Sequence, residues 1–256
     1  MSSERLDDRA LAGELATAAG QLLLQVRSDS GLSGKELGDA GDLRANDLLL
    51  SRLAADRPGD LVLSEESTDD KRRLTASRVW IVDPLDGTRE YRTPGHSDWA
   101  VHVALWSAGR LIAGAVALPA LGITYVDDDA PIEPVAGLLP PPADDRLRVV
   151  VSGSRPPAFS DVVAEAVGGV VAPLGSAGAK AMAVVRGEAA AYVHAGGQYE
   201  WDSAAPVAVA QAQGLWCGRI DGSQLVYNND DTYLPDLIIC RPELTDAIVG
   251  VTSRYS

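Results

Sequence analysis

The 256-residue chain is poor in cysteine, in positive charge and in long apolar runs. Its two cysteines, Cys217 and Cys240, sit among apolar residues and supply neither a disulfide framework nor a CxxC metal site. Every apolar run is interrupted by charge, glycine or proline before it reaches the length of a membrane span. The start, Met-Ser-Ser-Glu-Arg-Leu-Asp-Asp, lacks the basic cluster and continuous apolar stretch of a signal peptide. The chain therefore reads as soluble, reduced and cytoplasmic, with no membrane partner. Lysine and arginine number 22 against 36 aspartates and glutamates, a formal charge of −14. Such a surface repels nucleic-acid polymers. It repels small phosphorylated molecules too, unless something local reverses the sign. The three histidines, His96, His102 and His194, show no metal-ligand spacing, and His102 reads as a structural residue on a strand.

Against these deficits stand 46% hydrophobic residues, enough to offset the entropy of ordering one sizeable α/β unit or two small subdomains. Leu11, Leu15, Ala18, Leu22 and Val26 recur at helical spacing and predict a helix over 6–27. The polar, glycine-bearing stretch 28–42 reads as a mobile loop, and a second helix is expected over 43–55. Strands are expected at 61–63 and 79–82, followed by an antiparallel meander through 99–106, 111–118 and 122–126. Five prolines between Pro131 and Asp145 suggest a boundary between an N-terminal subdomain, 1–140, and a C-terminal one, 146–256. The second half alternates strand and helix (147–151, 160–168, 169–172, 177–186, 189–194, 203–213), as an α/β layer does.

The segment with most chemical content is Asp83-Pro-Leu-Asp-Gly-Thr88. A strand delivers Asp83, proline fixes the exit, and Asp86 follows before a glycine turn. Two carboxylates with an intervening carbonyl suit a hard cation such as Mg²⁺, and the amides of Gly87 and Thr88 suit phosphate. A plain β-turn accounts for the same residue types. Glu65 and Glu66 end another strand. Asp202 precedes a helix it could simply cap, and Asp47 lies on a helix where a surface aspartate is ordinary. Taken together, these acids gather at element ends, where α/β proteins place their sites.

Ser-Glu-Glu-Ser at 64–67, Asp-Pro-Leu-Asp-Gly-Thr at 83–88 and Trp-Asp-Ser-Ala-Ala at 201–205 resemble, in order and spacing, the signatures of the inositol monophosphatase / fructose-1,6-bisphosphatase superfamily. The continuation Thr88-Arg-Glu-Tyr91 looks like the CysQ-type branch that hydrolyses 3′-phosphoadenosine 5′-phosphate. Ser176-Ala-Gly-Ala-Lys180 and Ser152-Gly-Ser-Arg155 resemble that branch's substrate segments. Ala45-Asn46-Asp47 and Gly196-Gly-Gln-Tyr-Glu200 depart from its usual pattern.

The resemblance implies a layered αβαβα sandwich of α/β class, its N-terminal half α+β. It implies phosphomonoester hydrolysis by a metal-activated water, linked to sulfate assimilation, using two Mg²⁺ with a third, weaker one near Glu65. Glu65, Asp83 and the Leu85 carbonyl would hold the first ion; Asp83, Asp86 and Asp202 the second. Thr88, with Glu65 or Asp47, would take the water's proton. Gly87, Thr88, Arg155, Ser176 and Lys180 would contact a nucleotide bisphosphate or sugar phosphate. Inhibition by Li⁺ and a homodimer follow from the same analogy. Rival readings remain at this stage: an inositol monophosphatase or fructose-1,6-bisphosphatase activity, alone or dual; a haloacid-dehalogenase-type phosphatase, whose two aspartates stand two apart rather than three; and a non-catalytic metal-binding regulator.

Overall fold

Two amphipathic helices open the chain. In the computed structural model, which describes residues 7–128, 130, 132, 137–140 and 144–256, α1 spans Asp8–Asp29. The Asp7 carboxylate caps it by accepting from the Ala10 amide at 2.7 Å. Its Leu11, Leu15, Ala19, Leu23 and Val26 are buried, at the helical spacing. The following stretch departs from expectation. Only 30–33 break the chain, and α2 runs Gly34–Asp56, so most of the segment read as a mobile loop is helix. Two of its glycines, Gly38 and Gly41, are there for contact. A Cβ on Gly41 would stand 2.8 Å from the Tyr91 ring, and one on Gly38 would stand 2.8 Å from the Thr88 methyl.

The first sheet is β1 (Leu61–Ser64), β2 (Arg78–Asp86), β3 (Ala100–Ser107), β4 (Arg110–Leu118) and β5 (Ile123–Val126), in that spatial order. β1 and β2 are parallel and the rest antiparallel, which is the expected meander. The run Val79-Trp80-Ile81-Val82 is apolar throughout because the sheet is covered on both faces. Trp80 and Val82 pack with α1 and α2, while Val79 and Ile81 belong to the core between the sheets. The second sheet has the order β7 (Gly169–Leu174), β6 (Leu147–Ser152), β8 (Ala191–Tyr199), β10 (Tyr233–Cys240), β9 (Trp216–Gly218). The last two strands and the C-terminal helix α7 (Thr245–Thr252) have no counterpart in the sequence reading. α5 (Ala177–Val185) and α6 (Glu200–Ala212) fill the space between the sheets, and α4 (Ser160–Ala166) and α7 cover the outer face of the second. The short α3 (Thr88–Tyr91) leaves the end of β2.

The layers are therefore αβαβα. The subdomain boundary expected at 131–145 falls largely on residues outside those described. α5 and α6, from the second half, nonetheless share one core with the first sheet. No helix among the described residues is long and apolar enough to cross a membrane.

α6 reaches the first sheet where Gly114 interrupts β4, and a Cβ there would stand 2.5 Å from the Ala208 Cβ. Gly114→Ala is expected to overpack this seam and lower stability by about 1–3 kcal/mol, read from the denaturant midpoint. A midpoint equal to wild type contradicts the close seating of α6.

Candidate active site

β2 carries Asp83 and Asp86 to the seam between the sheets, where they are 1% and 6% exposed. Residues three apart on a regular strand face opposite ways. Here the pairing with β3 shifts between Asp83 and Asp86, and the two carboxylates converge. They meet Asp202, in the first turn of α6, with ligand atoms of all three within 4.8 Å of one another. Asp202 also accepts from the Tyr199 amide at 2.7 Å, so it caps its helix and faces the cluster at once. Glu65, just beyond β1, stands close enough to Asp83, Asp86 and Asp202 for their charges to act on one another. The Leu85 amide donates to Asp83 Oδ1 at 3.0 Å, and the Leu85 carbonyl accepts from Thr88 Oγ1 at 3.2 Å.

The protein treats these acids unequally. Asp86 is buried, yet His102, Lys180 and Ser176 outweigh that burial and hold its carboxyl well below the ordinary range. It accepts the Ser176 hydroxyl and the amides of Ala177 (3.1 Å) and Gly178 (2.7 Å) at the start of α5. His102, opposite Asp83 on β3, sets Nε2 3.2 Å from Asp86 and bonds the Trp201 carbonyl through Nδ1 at 3.0 Å. The other carboxyls lack such support. Burial and the charges of Glu65, Asp86 and Asp202 raise Asp83 well above its usual value. Burial and Asp86 push Asp202 up to about 7. Desolvation, then Asp202, Glu66 and Asp86, push Glu65 up to about 8. Several under-compensated carboxylates around one point, with a backbone carbonyl beside them, form a donor set suited to hard divalent cations. Glu65, Asp83, Leu85, Asp86 and Asp202 could hold them.

Asp47 does not join this group: it is exposed on α2. Asp42, more than a turn earlier, is the acid that meets Thr88, whose hydroxyl stands 3.4 Å from its Oδ1. Burial, then Glu66, pushes Asp42 up to about 7. The signal that could have found it is the pair Gly38 and Gly41, which clears a helix face against Thr88 and Tyr91.

Next to the carboxylates opens a pocket of 320 Å³ whose lining includes Gly87, Thr88, Arg155, Ser176 and Lys180 together with Asp86 and Asp202. A larger cavity of 720 Å³, beside Leu138 and Arg148, contains none of these. Two of the sequence-predicted contacts have other engagements. The Ser176 hydroxyl binds Asp86, and its oxygen accepts from the Ala179 amide. The Lys180 ammonium bonds the carbonyls of Gly175 and Ser176, and burial brings it down to about 8. Arg155 is exposed at the rim, its guanidinium against Gly197.

The inositol monophosphatase family model matches residues 7–254. The chain belongs to the inositol monophosphatase family. Among its relatives is the 3′-phosphoadenosine 5′-phosphate phosphatase of Mycobacterium leprae (strain TN), 51% identical over 257 residues, covering 96% of this chain and 93% of that one. The crystal structure of CysQ from Bacteroides thetaiotaomicron superposes with a TM-score of 0.74 at 24% identity, over 91% of this chain and 96% of that one. The staphylococcal protein SaIMPase-II, crystallised with 2′AMP, has a TM-score of 0.76 at 18% identity, over 96% of this chain and 94% of that one. Its complex with inositol monophosphate has a TM-score of 0.74 at the same identity, over 96% and 93%. These structural likenesses show the fold. Membership of this family removes the haloacid-dehalogenase reading.

The raised carboxyls give the family site a pH signature. A carboxyl whose folded pKa exceeds its unfolded value binds its proton more tightly in the native state. The stability it adds is complete below about pH 4 and is lost as pH rises through the folded value. Asp42, Asp202 and Glu65, at about 7, 7 and 8, place that loss between pH 5 and 8. Asp86, held low, adds stability that is already complete above its unfolded value and stays constant across this window. The melting temperature of metal-stripped protein is therefore expected to fall from pH 5.5 to 8.5, and added Mg²⁺ to raise it more at pH 8.5 than at 5.5. Equal Mg²⁺ shifts at both pH values would count against cation binding by these acids.

Proposed function

We propose that this chain is a Mg²⁺-dependent phosphomonoesterase that removes the 3′-phosphate of 3′-phosphoadenosine 5′-phosphate, giving AMP and phosphate in the cytoplasm. The observation that carries the reading is 51% identity, over 96% of the chain, to a protein named for that reaction. The carboxylate cluster opening onto a pocket with Lys180 and Arg155 on its walls supports it. Sugar phosphates are a second reading, favoured by the staphylococcal relative, which is known with both a nucleotide and inositol monophosphate bound.

Glu65, Asp83, the Leu85 carbonyl, Asp86 and Asp202 would hold the cations. Bound there, Mg²⁺ supplies a more acidic water and neutralises charge on the ester oxygens. The remaining work belongs to side chains. The Thr88 hydroxyl donates toward Asp42 or the Leu85 carbonyl, which leaves its lone pairs free to accept from the attacking water. The water's proton passes to Thr88 Oγ1 as Thr88's own proton moves to Asp42, a base held near neutrality. The start of α5 keeps Asp86 anionic and fixed throughout. Arg155 suits a bidentate contact with the second phosphate, and the one Lys180 proton not directed at a carbonyl reaches the same anion. In a protein of charge −14, cation loading must precede substrate binding.

Three measurements follow. Under one set of conditions, kcat/KM for 3′-phosphoadenosine 5′-phosphate should exceed that for fructose 1,6-bisphosphate and inositol monophosphate by at least about tenfold, roughly 1.4 kcal/mol of transition-state binding. A smaller ratio transfers the assignment to sugar phosphates. Asp83→Asn should abolish Mg²⁺ binding and turnover while leaving circular dichroism unchanged; near-normal turnover rejects the metal assignment. Asp42→Asn should lower kcat by about 100-fold or more, whereas Asp47→Asn should stay within about threefold. The reverse ranking restores Asp47 as the proton acceptor.

A further inference from the structure

The floor of the 320 Å³ pocket holds two polar side chains that neither the cation site nor the proton relay uses. His194 and Gln198, both on β8, are 3% and 4% exposed. Between them β8 bulges against β10 at Gly196 and Gly197, whose φ values are +81° and +73°. That irregularity, which only glycine adopts readily, lets both side chains line the pocket. His194 Nε2 lies 2.8 Å from the Gly196 carbonyl oxygen. A carbonyl only accepts, so Nε2 carries the hydrogen. Burial and the Lys180 charge push the ring down to about 4 and keep it neutral, which makes Nδ1 a bare acceptor. Among the described residues Nδ1 has no partner. Gln198 Nε2 donates to the Tyr192 hydroxyl at 2.8 Å, and its Oε1 likewise has no partner among them. Both residues line this one pocket, and their two unsatisfied buried polar atoms point to a ligand group that completes them.

The chemistry narrows that group. A bare imidazole nitrogen and an amide oxygen repel phosphate oxygens and call for a donor. The neighbour of Gln198 is Tyr199, whose amide holds the Asp202 carboxylate. Asp86 and Asp202 line the same pocket as His194 and Gln198, and the part of the substrate nearest the cations is the sugar that bears the scissile ester rather than the base. A hydroxyl has a single hydrogen, so it donates to His194 Nδ1 and accepts from the Gln198 amide nitrogen, the amide being turned so that its oxygen takes the hydrogen of the Tyr192 hydroxyl. We propose that His194 and Gln198 form the subsite for the ribose 2′-hydroxyl, the free hydroxyl next to the 3′-phosphate, and make the enzyme selective for ribonucleotides over 2′-deoxyribonucleotides. The inference rests on the nucleotide reading above.

The test is kcat/KM for 3′-phosphoadenosine 5′-phosphate and for 2′-deoxyadenosine 3′,5′-bisphosphate with the Mg²⁺-loaded wild type, His194→Leu and Gln198→Leu. Wild type should favour the ribonucleotide by at least about tenfold. Each variant should cut that preference at least about fivefold, with the loss falling on the ribonucleotide. Differences in leaving-group acidity cancel when the ratios are compared. Equal losses on both substrates, or an unchanged ratio, overturn the proposal. So does a selectivity that follows the base, seen by substituting the inosine counterpart. The wild type alone is decisive if it shows no ribose preference, whether or not the variants fold. Failure of the nucleotide reading looks different: the wild type then prefers fructose 1,6-bisphosphate or inositol monophosphate over both nucleotides.

Discussion

Like charges buried together are the constraint from which the rest of this molecule follows. Asp83, Asp86 and Asp202 present ligand atoms within 4.8 Å of one another, and their charges act on nearby Glu65. Such a cluster is unfavourable without counter-charge. The protein supplies that counter-charge to one member. Asp86 receives helix amides, a hydroxyl, an imidazole and the field of Lys180. Asp83, Asp202 and Glu65 are left to bind protons or cations. In this division one acid is fixed and the others respond to whatever arrives.

Such a point can exist only where several layers approach closely, and the small residues of the sandwich serve that approach. Gly178 in α5 has room for no side chain, because a Cβ there would strike the His102 ring. Gly114 admits α6 to the first sheet, and Gly38 and Gly41 admit α2 to the turn that bears Thr88. Side-chain volume is removed wherever an element must reach the acids. The alanine- and glycine-rich composition of α5 is a packing requirement of a helix held between two sheets.

That requirement also explains what could be read in advance. The acids at 65, 83 and 86 were legible because each follows an apolar run, Asp202 because it stands ahead of a helix in the Trp-Asp-Ser-Ala-Ala segment, and the strands because coverage on both faces makes them continuously hydrophobic. Asp42 was hidden by the glycines around it. Within one sequence, a glycine that clears a helix face looks the same as one that breaks a helix, and only the presence of Tyr91 and Thr88 opposite distinguishes them. His102 reads from its strand as a structural residue, and it is one. Its consequence for Asp86 depends on a register shift that no local pattern encodes. β9 is only three residues long and follows closely on α6, and β10 comes after a long polar stretch, so neither announces a sheet.

The hydrogen bonds from α5 to Asp86 join residues ninety and more positions apart. While the chain is being synthesised, the strand bearing Asp83 and Asp86 is therefore complete long before the helices that stabilise it exist. The N-terminal half made alone has Glu65, Asp83 and Asp86 with His102 beside them, but it lacks Asp202 and the α5 amides that fix Asp86. The three-aspartate cluster is complete only once α6 has docked, at a late point in the chain. The three-aspartate cluster is thus a product of both halves of the chain coming together.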